Sequence, residues 1–217
     1  MDRSRIAIVI PALNEARTVA QVVAAVLPFG SPVVVDDGST DATGTLAEQA
    51  GAHVVRLPVN RGYDGALNAG FSWAATQGFI YLVTVDADGQ HDPPLIARFV
   101  SALDEGADVV VGIRDRRQRF GEHVFAWVGK RLWAVNDPLC GMKAYRMSVY
   151  TQRRWFDSYG SIGTELCLYA ACNGMWLEQV AVRTLDRADQ PRFDRRWSAN
   201  RRILRALVVG LKRYWFT

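Results

Sequence analysis

The sequence predicts an α/β protein with a mostly parallel central sheet flanked by helices, in a single domain covering residues 1–217. Three observations lead there. Strand-like and helix-like segments alternate through the first half, the trace of successive parallel βαβ units. The strand-like runs at 33–35 and 79–85 drive directly into acidic turns, Asp36-Asp37-Gly38 and Asp86-Ala87-Asp88-Gly89. Length and balanced composition fit one domain of roughly 150–250 residues, large enough for a real core. No internal repeat, low-complexity linker or second core interrupts the chain.

Residues 6–11 read as the first strand and 14–27 as the helix that follows, Pro11 stopping the one and Asn14 capping the other. The second strand, 33–35, is short; a helix over 42–50 returns the chain to a third strand at 53–57. A helix over 65–76 leads to the apolar run 79–85, expected at the centre of the sheet. Val109-Val110-Val111-Gly112 is the last strand of this rhythm. From 114 to 136 the residues turn basic and aromatic, among them Arg116, Arg119, Phe120, Trp127, Arg131 and Trp133, which suits a loop plus an amphipathic helix at the edge of the core. Trp127 and Trp133 stand six residues apart, and that spacing leaves both core and lipid-facing placements open. A helix over 162–173, a strand over 177–182 and a basic amphipathic helix over about 198–217 complete the chain.

Charge is unevenly placed. The whole chain is +4, yet the stretch from Arg183 onward holds ten Lys or Arg against three Asp, so the basic character sits in the tail. There the arginines are interspersed with apolar residues and end in Tyr214-Trp215-Phe216, a pattern for a helix that rests on an anionic membrane surface or packs on the domain with solvated arginines. Nucleic acid is disfavoured as a partner, because no stacking or groove-reading motif accompanies the basic tail. No apolar run approaches the ~20 residues of a membrane span, and Met1-Asp2-Arg3-Ser4-Arg5 leads into a strand rather than a cleavable signal. Cys140, Cys167 and Cys172 lack metal-site spacing, and their odd number favours reduced cytosolic thiols. The expected location is cytoplasmic, peripheral on the inner face of the plasma membrane.

The chemistry concentrates at strand ends. Side chains at i, i+2 and i+4 share a face where extended geometry persists, so Asp86, Asp88 and Gln90 are expected to converge. Two carboxylates together need a cation, and three hard oxygen donors suit Mg²⁺ or Mn²⁺ with places left for substrate phosphates. For an isolated Asp-x-Asp the plainer reading is an acidic turn capping the strand. His91 is expected to make a structural hydrogen bond rather than ligate. Ligands of open parallel sheets gather beyond the carboxyl ends of the strands, so Asp37 is expected to share one crevice with Asp86 and Asp88, meeting ribose hydroxyls or a base while the cation neutralises a diphosphate. No Gly-x-Gly-x-x-Gly follows the first strand and no Gly-x-x-x-x-Gly-Lys loop exists, which disfavours a dinucleotide redox cofactor and a phosphate-cradling nucleoside triphosphatase.

Five motifs in order carry a specific resemblance. They are Ile8-Val9-Ile10-Pro11-Ala12-Leu13-Asn14-Glu15, Val35-Asp36-Asp37-Gly38-Ser39-Thr40-Asp41, Asn60-Arg61-Gly62 with Gly65-Ala66, Asp86-Ala87-Asp88-Gly89-Gln90, and Asp137 to Arg146. Together the chain resembles the family 2 glycosyltransferases of GT-A fold, most closely the polyprenyl- and dolichol-phosphate mannose and glucose synthases. The resemblance implies inverting, metal-dependent transfer of a hexose from a nucleotide-diphosphate sugar, a GDP- or UDP-sugar, with Mg²⁺ or Mn²⁺ on the diphosphate. It divides the chain into a nucleotide-binding half at about 1–113 and an acceptor-binding half at about 114–200. Pro11, Leu13 and Glu15 then line the nucleoside pocket, with Val35 and Asp37 reaching base or ribose. Asp86 and Asp88 hold metal and donor, Ala87 touches the nucleotide through its backbone, and Gln90 is the third metal-side position. Arg114 and Arg187 match diphosphate-binding arginines, and Arg192 stands where relatives carry a lysine. Glu165 occupies an acidic helix position, its other reading being a partly buried acid paired with an arginine.

The acceptor implied is polyprenyl phosphate, whose oxygen is already anionic; a hydroxyl acceptor would need a carboxylate such as Asp137 as base. The basic-aromatic stretch from 114 to 133 favours the phosphate. With no membrane helix of its own, the chain would meet a lipid through its tail, a membrane surface or a membrane-protein partner. Two rivals stand beside this reading: transfer to a soluble or polymeric hydroxyl acceptor, and a non-catalytic nucleotide-sugar-binding protein.

Overall fold

The computed structural model describes residues 2–117, 119–156, 160–183 and 196–214. Seven strands form one sheet: β1 (Ile6–Ala12), β2 (Ser31–Asp36), β3 (His53–Arg56), β4 (Tyr81–Thr84), β5 (Val109–Arg114), β6 (Lys143–Arg146) and β7 (Leu177–Val182). Their order is β3-β2-β1-β4-β6-β5-β7, which puts the apolar run β4 in the middle, as its composition predicts. Every pairing is parallel except those of β6, which runs antiparallel to both β4 and β5.

The helices are α1 (Val19–Val26), α2 (Thr43–Gln49), α3 (Gly62–Thr76), α4 (Leu95–Asp104), α5 (Phe120–Leu132), α6 (Met147–Arg153), α7 (Glu165–Cys172) and α8 (Arg196–Tyr214). They cover both faces of the sheet. In β1, Ile6, Ile8 and Ile10 pack toward Val19, Val23, Phe99 and Leu103 of α1 and α4. Ala7 and Val9 alternate to the other face, toward Phe71 of α3, Phe125 of α5 and Leu166 of α7. All five of these strand residues are 0% exposed, as a parallel strand covered on both faces requires. Phe71 is the hub of that second layer, with Tyr145, Tyr150 and Phe156 meeting it edge-on at 5.8, 5.5 and 4.9 Å.

Three expectations needed revision. The first helix begins at Val19, not 14, because Asn14 takes a left-handed φ of 51° and turns its side chain across to the next loop. Two helices, α4 and α6, were not singled out, although Ile96, Phe99, Val100 and Leu103 in α4 have the spacing of one buried face. Strand β6 hides in the motif 137–146 because Lys143, unusually for a lysine, is 3% exposed and turns inward, its ammonium donating to the Cys140 carbonyl.

Candidate active site

The carboxyl ends of β1, β2, β4 and β5 and the start of antiparallel β6 make one rim. Its β1–β2 portion is laced together by hydrogen bonds between two loops. Asn14 N–H donates to Ser39 Oγ at 2.9 Å, Thr40 N–H returns to Asn14 Oδ1 at 2.8 Å, and Glu15 N–H reaches Thr43 Oγ1 at 2.7 Å. Pro11, Leu13 and Glu15, all partly exposed, lie on this rim. Val35 is 0% exposed in the layer against α3, its backbone in the ladder between β1 and β3. Asp37, 4% exposed, is gripped by Arg61 N–H at 2.6 Å. Burial raises its carboxyl pKa, and the Arg61 and Gly62 N–H groups offset only part of that.

At β4 the strand ends at Thr84, and Ala87-Asp88 already form a turn, with Gly89 at φ 76°. Strand alternation therefore does not bring Asp86, Asp88 and Gln90 together; a tight turn does the placing instead. Asp88 Oδ1 accepts Gln90 N–H at 3.1 Å, closing that turn. Asp86 Oδ1 accepts the Tyr63 hydroxyl at 3.2 Å, and its Oδ2 faces His91 Nε2 at 3.7 Å. His91 Nδ1 accepts the Asp86 N–H at 3.1 Å, the structural hydrogen bond expected of it. Gly141 lies so close to the Asp86 carboxylate that any Cβ there would collide with it. Ala87 is buried between the two carboxylates. Among the described residues, no cluster of three or more His, Cys, Asp or Glu has the placement to hold a metal by itself.

Arg114 closes β5 and is locked to Asp137. Its backbone N–H, Nε and Nη2 all donate to that carboxylate, at 3.1, 2.8 and 2.9 Å. Burial alone would lower the arginine's pKa, but the bidentate carboxylate outweighs it and raises the value, so the guanidinium stays charged. Asp137 is 1% exposed and takes three N–H bonds. Through these three bonds Asp137 holds Arg114 in place.

Residues 7–162 match the model of glycosyl transferase family 2. The chain belongs to this family. Polyprenol monophosphomannose synthase of Mycolicibacterium smegmatis is 32% identical over 169 residues, 67% of this chain and 63% of that protein. Undecaprenyl-phosphate 4-deoxy-4-formamido-L-arabinose transferase of Enterobacter is 32% identical over 165 residues, 67% of this chain and 50% of that one. The chain thus spans less than two thirds of either relative. Glucosyl-3-phosphoglycerate synthase of Mycobacterium tuberculosis, crystallised with Mn²⁺ and uridine-diphosphate-glucose, superposes with a TM-score of 0.76 at 25% identity over 96% of this chain and 79% of that one. The architecture is the GT-A fold.

In this family 2 member Glu165 follows the second of its two readings. It is 0% exposed, paired with Arg153 at 2.6 Å, and accepts the Tyr214 hydroxyl at 3.2 Å, which ties the end of α8 to α7 and α6. Burial first, then the Glu165 charge, pushes Tyr214 up to about 12. Helix α8 buries Ile203, Ala206 and Leu207 while leaving Val208 half exposed, so the tail packs on the protein with one face. Trp215 and Phe216, like Arg187 and Arg192, lie outside the described residues.

The two tryptophans of the basic stretch divide. Trp133 is buried, whereas Trp127 is 63% exposed with the Arg131 guanidinium over its ring at 5.6 Å. Trp127 borders a groove of about 460 Å³ between the end of β5 and α5, lined also by Arg117, His123, Lys130 and Asn136. No acid lines it. Sequence reasoning missed this groove and the Tyr63 hydroxyl; helical spacing of His123, Trp127 and Lys130 was the available signal for the first.

Proposed function

We propose that the protein transfers a hexose from a nucleotide-diphosphate sugar to a polyprenyl phosphate, with inversion, at a membrane surface. The observation that carries this reading is the acid-free groove beside Arg114, where Arg117 and Lys130 suit a phosphate and Trp127 suits the apolar chain attached to it. The named activities of the mycobacterial and enterobacterial relatives, on polyprenol and undecaprenyl phosphate, support the same acceptor class.

Asp86, Asp88 and Gln90 would hold Mg²⁺ or Mn²⁺. The fit is chemical: all three side chains offer hard oxygens, all are partly exposed, and Gly141 leaves room at Asp86. With only two carboxylates, the protein would supply part of a coordination shell that the donor's diphosphate completes. Such an ion, when bound, neutralises charge growing on the leaving diphosphate. Asp37 and the rim at Pro11, Leu13 and Glu15 take the nucleoside. Arg114, charged and fixed by Asp137, turns its remaining N–H groups to the diphosphate, a donor set organised before the reaction begins. A lipid phosphate attacks as an anion and needs no base; a hydroxyl acceptor would need a carboxylate such as Asp137 to take its proton.

No helix among the described residues is long and apolar enough to cross a membrane. Access to a lipid would come through the exposed Phe120 and Trp127 of α5 and Leu204 and Val208 of α8, which neighbour Arg131, Arg201, Arg205 and Lys212 in sequence. Incubation with labelled GDP- and UDP-hexoses, Mn²⁺, and either polyprenyl phosphate or soluble sugars and phosphorylated acids tests the acceptor. A butanol-extractable labelled lipid supports the reading. Transfer only to a soluble acceptor contradicts it.

A further inference from the structure

We propose that Tyr63 is a positioning residue that fixes the Asp86 carboxylate for its cation, an inference that rests on Asp86 being a metal ligand. Tyr63 is the second residue of α3, and its hydroxyl donates to Asp86 Oδ1 at 3.2 Å. The opposite oxygen, Oδ2, lies toward His91 Nε2 and against Gly141. The phenol is therefore what sets the rotation of the carboxylate about its last torsion, leaving the remaining lone pairs to point one way.

Tyr63 is itself held. Its Cε1 sits 3.1 Å from where a Cβ on Gly163 would be, and the next residue, Asp64, accepts the N–H groups of Ile162, at 3.1 Å, and of Gly163. Ile162 and Gly163 both adopt left-handed φ, 57° and 71°, the shape that turns their N–H groups to one carboxylate. Two consecutive side chains of one helical turn thus hold the β4 carboxylate and the loop before α7. The loop across the cleft and the orientation of Asp86 are set together.

Hydrogen bonds to ligating carboxylates raise metal affinity because the ligand need not reorganise on binding, and their loss weakens binding by about 10- to 100-fold. Tyr63→Phe removes the hydroxyl and keeps the ring that packs on Gly163. Mn²⁺ binding is measured by electron paramagnetic resonance of the free ion, with UDP or GDP present and no turnover. The expected result is Mn²⁺ affinity weakened about 10-fold, with the metal-free thermal midpoint unchanged. In transfer assays the Mn²⁺ concentration for half-maximal rate rises while the rate at saturating Mn²⁺ is kept, a split that a loss of folding would not give. Should the midpoint fall, the same titration below both midpoints decides the matter. Equal Mn²⁺ affinity in the two proteins overturns the positioning role. No Mn²⁺ binding by the wild-type protein with either nucleotide overturns the metal assignment of Asp86, and Tyr63's role with it.

Discussion

On the β1–β4 side of the sheet, rim carboxylates are held by backbone N–H groups and a phenol: Asp36 by Ser39 N–H, Asp37 by Arg61 N–H, Asp88 by Gln90 N–H and Asp86 by Tyr63. On the β5–β7 side, buried carboxylates are held by guanidinium groups: Asp137 by Arg114, Glu122 by Arg119 and Glu165 by Arg153. Neutral donors orient a carboxylate without cancelling its charge. Full cations cancel it. Among the contacts described, the first side orients its carboxylates chiefly with neutral donors, while the second side pairs its carboxylates with arginines and so places them.

The largest expected difference between the sides is in stability. Asp137→Ala leaves Arg114 charged, mostly buried and without its bidentate partner, and should cost about 3–5 kcal/mol of unfolding free energy in urea titration. If Asp137→Ala proves as mild as a change at the partly exposed Asp88, the two sides are not built differently. Next comes Gly141→Ala, which drives a methyl group into the Asp86 carboxylate. It should destabilise by about 1–3 kcal/mol and lower transfer further than that loss explains. Transfer at the wild-type rate would mean that Asp86 has freedom the comparison denies it.

The smallest effect is a pH dependence. Burial raises the Asp37 pKa above its ordinary value of 3.8, so the stability of the neutral form is fully present below that value and is lost as pH rises through the folded one. Asp37→Asn should therefore raise the thermal midpoint at pH 7 and give no gain near pH 3, while weakening nucleotide binding. A midpoint lowered at pH 7 would show that the N–H bonds outweigh burial.

How much of this was legible in the sequence follows the same division. The parallel strands of the first half were readable because each is a local apolar run; β2 and β4 stop at acidic turns, and family motifs fall on those stops. Contacts such as Arg114 with Asp137, 23 residues apart, or Tyr63 with Asp86, also 23 apart, leave no periodic trace. Asp86 and Asp88 were found for their chemistry, although the chain past Thr84 runs through a turn at Gly89 rather than the continued strand that was extrapolated. Val35 entered the list of nucleotide contacts through resemblance alone, and nothing local in the sequence marked it as fully buried. Trp127 and Trp133 could not be told apart by spacing, since α5 ends at Leu132 and the chain leaves the helix at Trp133, so one lies on the outer face and the other in the core.

The central claim is that Asp86 and Asp88 hold a divalent ion that carries the donor's diphosphate. Thermal stability of the wild-type protein and of Asp88→Ala, measured with UDP- and GDP-sugars in the presence and absence of Mn²⁺, tests it most directly, because a ligand raises the midpoint only by preferring the folded state. The expected result is a rise for wild type with one donor and Mn²⁺ together, smaller without the ion, and absent in Asp88→Ala. An equal rise in both proteins, or one indifferent to Mn²⁺, would contradict it.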